Sequence, residues 1–218
     1  MCATWAVVVA RVGEGAKTRL APLLEPAERT ALALAMLSDV VDACCRSALD
    51  GVLCVVDTRA ALSLAAAHGA RGVLDPARGM NAAVATGIHV ARRRGAETVV
   101  VLPGDVPLIS AADVRELLEA AGGAPRAVVV GSSRDGLGTN ALLLRPPDVI
   151  EPSFGPPSVE RHRQAGVAAG ALSVVRAGLG LALDVDTPED LAALRARAPG
   201  GATGLALRRR EDAALGRT

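Results

Sequence analysis

Lys17 is the sole lysine in a chain that carries 23 arginines. The arginine bias reads as a GC-rich coding sequence. A lone lysine is then either leftover noise or a place where a compact ammonium on a flexible stem serves better than a planar guanidinium, as it does beside phosphate. It lies in R-V-G-E-G-A-K-T-R, after Gly13 and Gly15. Those glycines let the backbone turn so that amides point at an anion. The loop is not a Walker A sequence, which needs glycine where Arg11 and Ala16 stand. Nor is it G-x-G-x-x-G, since Thr18 occupies the third glycine's place. The loop is a candidate triphosphate cradle, with a solvated surface turn as the alternative.

Three carboxylates complete the set. Asp105 follows the apolar run E-T-V-V-V-L, between Pro103 and Pro107, which stiffen its loop. Asp184 and Asp186 stand two apart in L-A-L-D-V-D-T-P-E-D-L. In an extended segment such residues face the same way, their carboxylates about 6–7 Å apart. At an effective dielectric of 20 they repel by roughly 2–3 kcal/mol, so a cation or solvent must relieve them. Beside a triphosphate loop the natural cation is Mg²⁺, which takes one or two protein carboxylates and completes its shell with water and phosphate oxygens. The alternative is a hydrated turn, with Asp186 supporting a helix cap at Thr187. Two further turns, G-L-G-T-N around Thr139 and F-G-P-P-S around Gly155 and Ser158, expose amides and hydroxyls that suit a small carboxylate, or are plain turns.

These residues need elements to position them. Apolar, valine-rich runs at 3–11, 51–57, 97–102, 127–130, 140–144 and 181–185 read as buried strands, with a short one near Val73 and Leu74. Helical spacing follows Pro26, covers a stretch up to His68, spans 81–94, follows the Ser110 cap, spans 158–168, and starts again at Thr187-Pro188-Glu189-Asp190. Strands alternating with amphipathic helices imply a single-domain α/β fold: a mostly parallel open sheet covered on both faces. Ligands in such sheets sit at the carboxyl ends of the strands, which is where the loops bearing Lys17, Asp105 and Asp184–Asp186 fall. The domain is expected to span residues 1–198. Residues 199–218, after Pro199-Gly200-Gly201, lack a clear partner face and are expected to fray.

Composition excludes several classes. With 24 basic against 23 acidic residues there is no excess positive charge to neutralise nucleic-acid phosphates. Trp5 and Phe154 are the only aromatics, so base-stacking platforms are missing. No run reaches membrane-spanning length, and no secretory signal opens the sequence. Four cysteines without a CxxC pair, and three histidines, fit inert thiols rather than a zinc site or a disulfide framework. A cytoplasmic protein is expected, with no nucleic-acid or membrane partner.

The segments A-K-T-R-L-A-P, G-M-N-A-A, L-P-G-D-V-P-L, G-T-N-A-L-L-L-R-P-P, F-G-P-P-S-V-E-R-H and G-L-A-L-D-V-D-T-P-E-D-L run in order through residues 16–191. Together they make the sequence similar to the guanylyltransferases of coenzyme F420 biosynthesis, the CofC/FbiD family. The resemblance implies a nucleotidyltransferase fold (GT-A/MobA-like, Rossmann-like) and transfer of GMP from GTP to phosphoenolpyruvate or 2-phospho-L-lactate. It implies Mg²⁺ on Asp105, Asp184 and Asp186. It places the acceptor's carboxylate at Thr139, Gly155 and Ser158, and Lys17 at the triphosphate, with Lys17 and Asp105 in the catalytic roles. Arg11, Gly13, Lys17 and Asn81 are the expected nucleotide contacts, Asn81 by a looser correspondence with the base. Two positions depart from the family pattern: Arg11 replaces a lysine, and Pro157 stands where a small residue is usual. The alternatives are a related nucleotidyltransferase using a sugar phosphate or molybdopterin, and a non-catalytic nucleotide-binding module.

Overall fold

A computed structural model describes residues 3–75, 79–178, 180–214 and 216. In chain order the elements are β1 (Thr4–Ala10), α1 (Pro26–Cys45), β2 (Gly51–Val56), α2 (Arg59–Ala67), β3 (Arg71–Leu74), α3 (Met80–Arg93), β4 (Thr98–Pro103) and α4 (Ala111–Ala121). Then follow β5 (Ala127–Ser132), β6 (Thr139–Arg145), α5 (Ser158–Ala168), β7 (Leu172–Arg176), α6 (Pro188–Ala196) and α7 (Gly201–Ala214). The seven strands form one sheet in the order β3-β2-β1-β4-β6-β5-β7, parallel except for β6, which runs against both neighbours.

Strand alternation divides the interior in two. Ala6, Val8, Cys54, Val56, Val100 and Leu102 face a core closed by α1, α2 and α4. Val7, Val9, Leu53, Val55, Val99 and Val101 face a second core closed by α3 and α5. Both faces of the central strands are therefore apolar, which is why their sequence reads as unbroken valine runs rather than as an alternation. Gly87 lets α3 sit on β1: a Cβ there would stand 2.3 Å from a Val7 methyl.

A third cluster lies off the sheet. Leu20, Leu24, Leu32, Met36, Leu183, Val185, Leu191, Leu194 and Leu207 bury one another. It explains two departures from the sequence reading. Residues 181–185 are not a strand. Leu181, Leu183 and Val185 are buried, but the segment joins no ladder: it opens in a turn, with Leu181 N and Ala182 N donating to Gly178 O (3.2 and 3.0 Å), while Ala182 O accepts from Arg134 N (2.8 Å) and Val185 N donates to Asp105 O (3.1 Å). Period-two burial reports a buried face, not strand pairing. The expected partnerless tail has a partner: α7 packs on α1, where the Asp39 carboxylate accepts from Ala202 N (2.8 Å) and Thr203 N (2.9 Å), and Arg210 pairs with Glu28. A cap borrowed from a residue over 160 positions away has no local signature. Strand β7, half-exposed at the sheet edge, was not anticipated from the sequence, because it lacks the apolar run of the central strands. Among the described residues no helix is long and apolar enough to cross a membrane.

Candidate active site

The third cluster also positions the chemistry. Lys17 adopts a left-handed backbone (φ 53°) and opens a 3₁₀ turn, Thr18–Leu20, whose Leu20 is fully buried in that cluster. Leu183 and Val185 anchor the opposite wall, which turns the intervening Asp184 and the following Asp186 toward a cavity. Helix α6 fixes the end of that wall. Its N-cap Thr187 is closed by Asp190, which also accepts from Asp186 N (3.3 Å). The cap is therefore made by Asp190, and the Asp186 side chain stays free for Lys17. Asp105 arrives from the carboxyl end of β4, where Gly104 packs against Ala10 too closely for a Cβ.

Lys17 Nζ donates to Asp105 Oδ2 (2.5 Å) and to Asp186 Oδ1 (2.7 Å). Burial alone would lower the Lys17 pKa, but the charges of Asp105 and Asp186 outweigh it and raise the value, so the ammonium persists. Asp184 accepts from Asn140 Nδ2 (3.1 Å). Its pKa is raised, first by burial and then by the charges of Asp105 and Asp186. Among the described residues no three His, Cys, Asp or Glu side chains are gathered closely enough to hold an ion by themselves. Instead the ammonium bridges two of the acids, and the buried Oδ1 of Asp105 is left with no hydrogen-bond partner.

Two cavities meet here. One, of about 360 Å³, is lined by Arg11, Gly15, Lys17, Asp75 and apolar strand and helix residues; the other, of about 570 Å³, by Arg19, Thr139, Gly155 and Asp184. Met80, Pro103, Asp105 and Asp186 belong to both. Two substrates seated in them would meet beside Lys17.

Of the residues expected at the nucleotide, Arg11 and Lys17 line the first cavity. Gly13 does not. Its N–H and that of Val12 donate to the Asp57 carboxylate (3.2 and 2.9 Å), so Asp57 takes the Gly13 amide expected at phosphate. Asn81 is displaced from its expected role as well. Its side-chain amide pairs with the Phe154 backbone, donating to O (3.3 Å) and accepting from N (2.7 Å). It ties α3 to the loop before α5 rather than reading a base.

At the acceptor side Thr139 and Gly155 line the second cavity, Gly155 at φ +103°. Ser158 is fully buried behind them and donates from Oγ to Thr139 Oγ1 (2.9 Å). The sequence marks His162 only as a weak site candidate, by its place after the Ser158 turn, and does not mark Arg161. His162 Nε2 accepts from Ser153 N (2.8 Å), so its proton sits on Nδ1, which bonds Thr139 Oγ1 (3.1 Å). Burial, then the Arg161 charge, push the His162 pKa down to about 4, which keeps the ring neutral. With two donors already on its oxygen, the Thr139 hydroxyl has its own proton to offer the cavity. Arg161 holds the loop's carbonyls, donating to Ser153 O (3.0 Å) and to Gly155 O. The available signal was spacing: both residues fall within four positions after Ser158, where helical side chains lean back toward the preceding loop.

Comparison with known proteins identifies the family. The family model described as "Guanylyl transferase CofC like" matches residues 5–207. A phosphoenolpyruvate guanylyltransferase from Rubrobacter xylanophilus is 43% identical over 192 residues, covering 88% of this chain and 93% of that protein. A 3-phospho-D-glycerate guanylyltransferase from Phenylobacterium zucineum is 40% identical over 202 residues, covering 90% and 91%. Among solved structures, a Desulfovibrio desulfuricans G20 protein assigned as a nucleotide-diphospho-sugar transferase superposes with a TM-score of 0.79 at 17% identity, over 99% of this chain and 97% of that one, a likeness of fold. A family model spanning residues 5–207, and relatives about 40% identical over most of both chains, lead to one conclusion: the chain belongs to the CofC-like guanylyl transferase family.

Proposed function

We propose that this protein is a cytoplasmic enzyme of coenzyme F420 biosynthesis that transfers GMP from GTP to the phosphate of phosphoenolpyruvate. The observation that carries this reading is the meeting of two cavities at Lys17, Asp105 and Asp186. GTP would occupy the first cavity and the phospho-acid the second. An acceptor phosphate oxygen attacks the α-phosphorus; the bond from that phosphorus to the bridging oxygen breaks, and pyrophosphate leaves. Phosphate oxygens are ionised at neutral pH, so no general base is required. Holding the two polyanions in line is most of the catalytic task.

Lys17 supplies a fixed positive charge to the departing pyrophosphate. Thr139 turns its hydroxyl proton toward the acceptor's carboxylate, and the Gly155 turn, clamped by Arg161 and Asn81, supplies backbone amides beside it. The donor set suits Mg²⁺: hard carboxylate oxygens, one of them buried and unpartnered on Asp105, with substrate phosphates to complete the shell. Asp105, Asp184 and Asp186 would hold the ion, whose chemistry is to offset charge between the phosphates.

The relative named for phosphoenolpyruvate supports that acceptor, and the one named for 3-phospho-D-glycerate defines the competing choice. Incubation with GTP, Mg²⁺ and an equimolar mixture of phosphoenolpyruvate, 3-phosphoglycerate and 2-phospho-L-lactate, read by mass spectrometry, distinguishes them. The expected main product is the phosphoenolpyruvate adduct. A different guanylylated acid would replace the acceptor assignment, and no adduct with pyrophosphate retained would remove the activity.

A further inference from the structure

Four carboxylates line the first cavity: Asp57, Asp75, Asp105 and Asp186. Three are already engaged. Asp57 accepts from the amides of Val12 and Gly13, and Asp105 and Asp186 share the Lys17 ammonium. The side chain of Asp75 makes no hydrogen bond or ion pair among the described residues, although the residue is only 8% exposed and its Oδ1 is buried. A buried carboxylate without a partner is costly to maintain, so its persistence calls for a donor that arrives with a ligand.

Position and surroundings define that ligand. Asp75 directly follows β3, and its N–H donates to Val56 O (2.8 Å), which holds it at the carboxyl end of the sheet. Strands β3 and β4 are three places apart in the sheet order. At about 4.8 Å per strand, Asp75 and Asp105 are separated by roughly 14 Å. That matches the reach of a nucleoside triphosphate whose phosphates lie at Lys17 and whose base lies toward β3. Val9, Val55, Val56 and Ala83 give the cavity apolar walls suited to a planar ring. A carboxylate in such a pocket selects a base edge with two adjacent donors. Guanine alone of the common bases has one, at N1–H and the 2-amino group. Adenine and cytosine set a ring acceptor against the oxygen, and uracil flanks its single N–H with two carbonyls.

We propose that Asp75 is the base-selecting residue of the nucleotide cavity, its carboxylate accepting the N1–H and 2-amino hydrogens of guanine. This rests on the guanylyltransferase reading, and the experiment separates the two. Calorimetric affinities of the full-length protein would be measured for GTP, ITP, XTP and ATP, alongside pyrophosphate release with the phospho-acid mixture. Inosine lacks the 2-amino group, so wild-type protein should bind ITP about tenfold to a hundredfold more weakly than GTP. Asp75→Asn keeps one acceptor and gains an N–H, which matches the 2-carbonyl of xanthine. Its GTP affinity should fall about a hundredfold and its XTP-to-GTP ratio should rise about a thousandfold over wild type. Equal affinity of the wild type for GTP and ITP, or a folded Asp75→Asn with an unchanged XTP-to-GTP ratio, overturns the assignment even if GTP turns over normally. Tight GTP binding with the predicted base preference but no pyrophosphate from any acceptor would instead overturn the transferase reading and leave Asp75 in place. Absence of GTP binding would overturn both.

Discussion

Replacing Lys17 with methionine removes the cation on which the candidate active site is built. Its side chain is 7% exposed, that of Asp105 26% and that of Asp186 44%. Deleting one member of a fully buried pair costs about 3–5 kcal/mol. Asp105 is partly wet, which reduces its share to about 2 kcal/mol, and Asp186, nearly half in water, adds about 1 kcal/mol at most. A loss of about 3 kcal/mol in a chain of this length lowers Tm by roughly 6–12 °C. The three acids then lack a counter-charge, and divalent binding should strengthen. At a hundredfold over its Kd, Mg²⁺ would restore about 2.7 kcal/mol. Thermal unfolding with and without millimolar MgCl₂ reads both effects: Lys17→Met should melt well below wild type without metal and recover most of the difference with it. Pyrophosphate release should fall about 10²–10³-fold even at saturating Mg²⁺, because the ammonium acts on the leaving group and not only on the fold. A variant with wild-type Tm, no response to Mg²⁺ and near-normal turnover would refute both the electrostatic account and the role of Lys17.

At the acceptor cavity, Thr139→Val should raise the KM for the phospho-acid about tenfold to a hundredfold and leave the KM for GTP unchanged in steady-state assays; a rise in both would mean the hydroxyl supports the fold rather than the substrate. The imidazole of His162 binds a proton near pH 6.5 when unfolded but only near pH 4 when folded. As pH falls through that window the unfolded state takes up the proton first, so stability present above pH 6.5 is lost on acidification, by about 3 kcal/mol in total. His162→Gln should flatten that part of the Tm–pH curve, and superimposable curves would contradict it. Asp39→Ala should cost about 1–2 kcal/mol in urea unfolding by uncapping α7, and no change would show that this cap adds nothing to the stability of the domain.

Much of this protein was legible as sequence because the information was local. A valine run such as 4–10 reads as buried on both faces, Pro26 and Thr187-Pro188 mark helix starts, and acids two apart on an extended segment share a side. Those rules gave the α/β sheet, the loops at its carboxyl ends and the principal charges, Lys17, Asp105, Asp184 and Asp186. What they do not contain is which groups are already committed to one another. Gly13 has the right conformational freedom for a phosphate loop, yet Asp57, forty-four residues on, takes its amide. Asn81 has donors and acceptors for a base, yet the Phe154 backbone satisfies both. Residues 181–185 carry a strand's pattern without a neighbour to pair with, and α7 is capped by Asp39 from another helix. A residue type sets what a side chain is able to bind. The partner it finds depends on distances between segments far apart in the chain, and only the packed fold sets those.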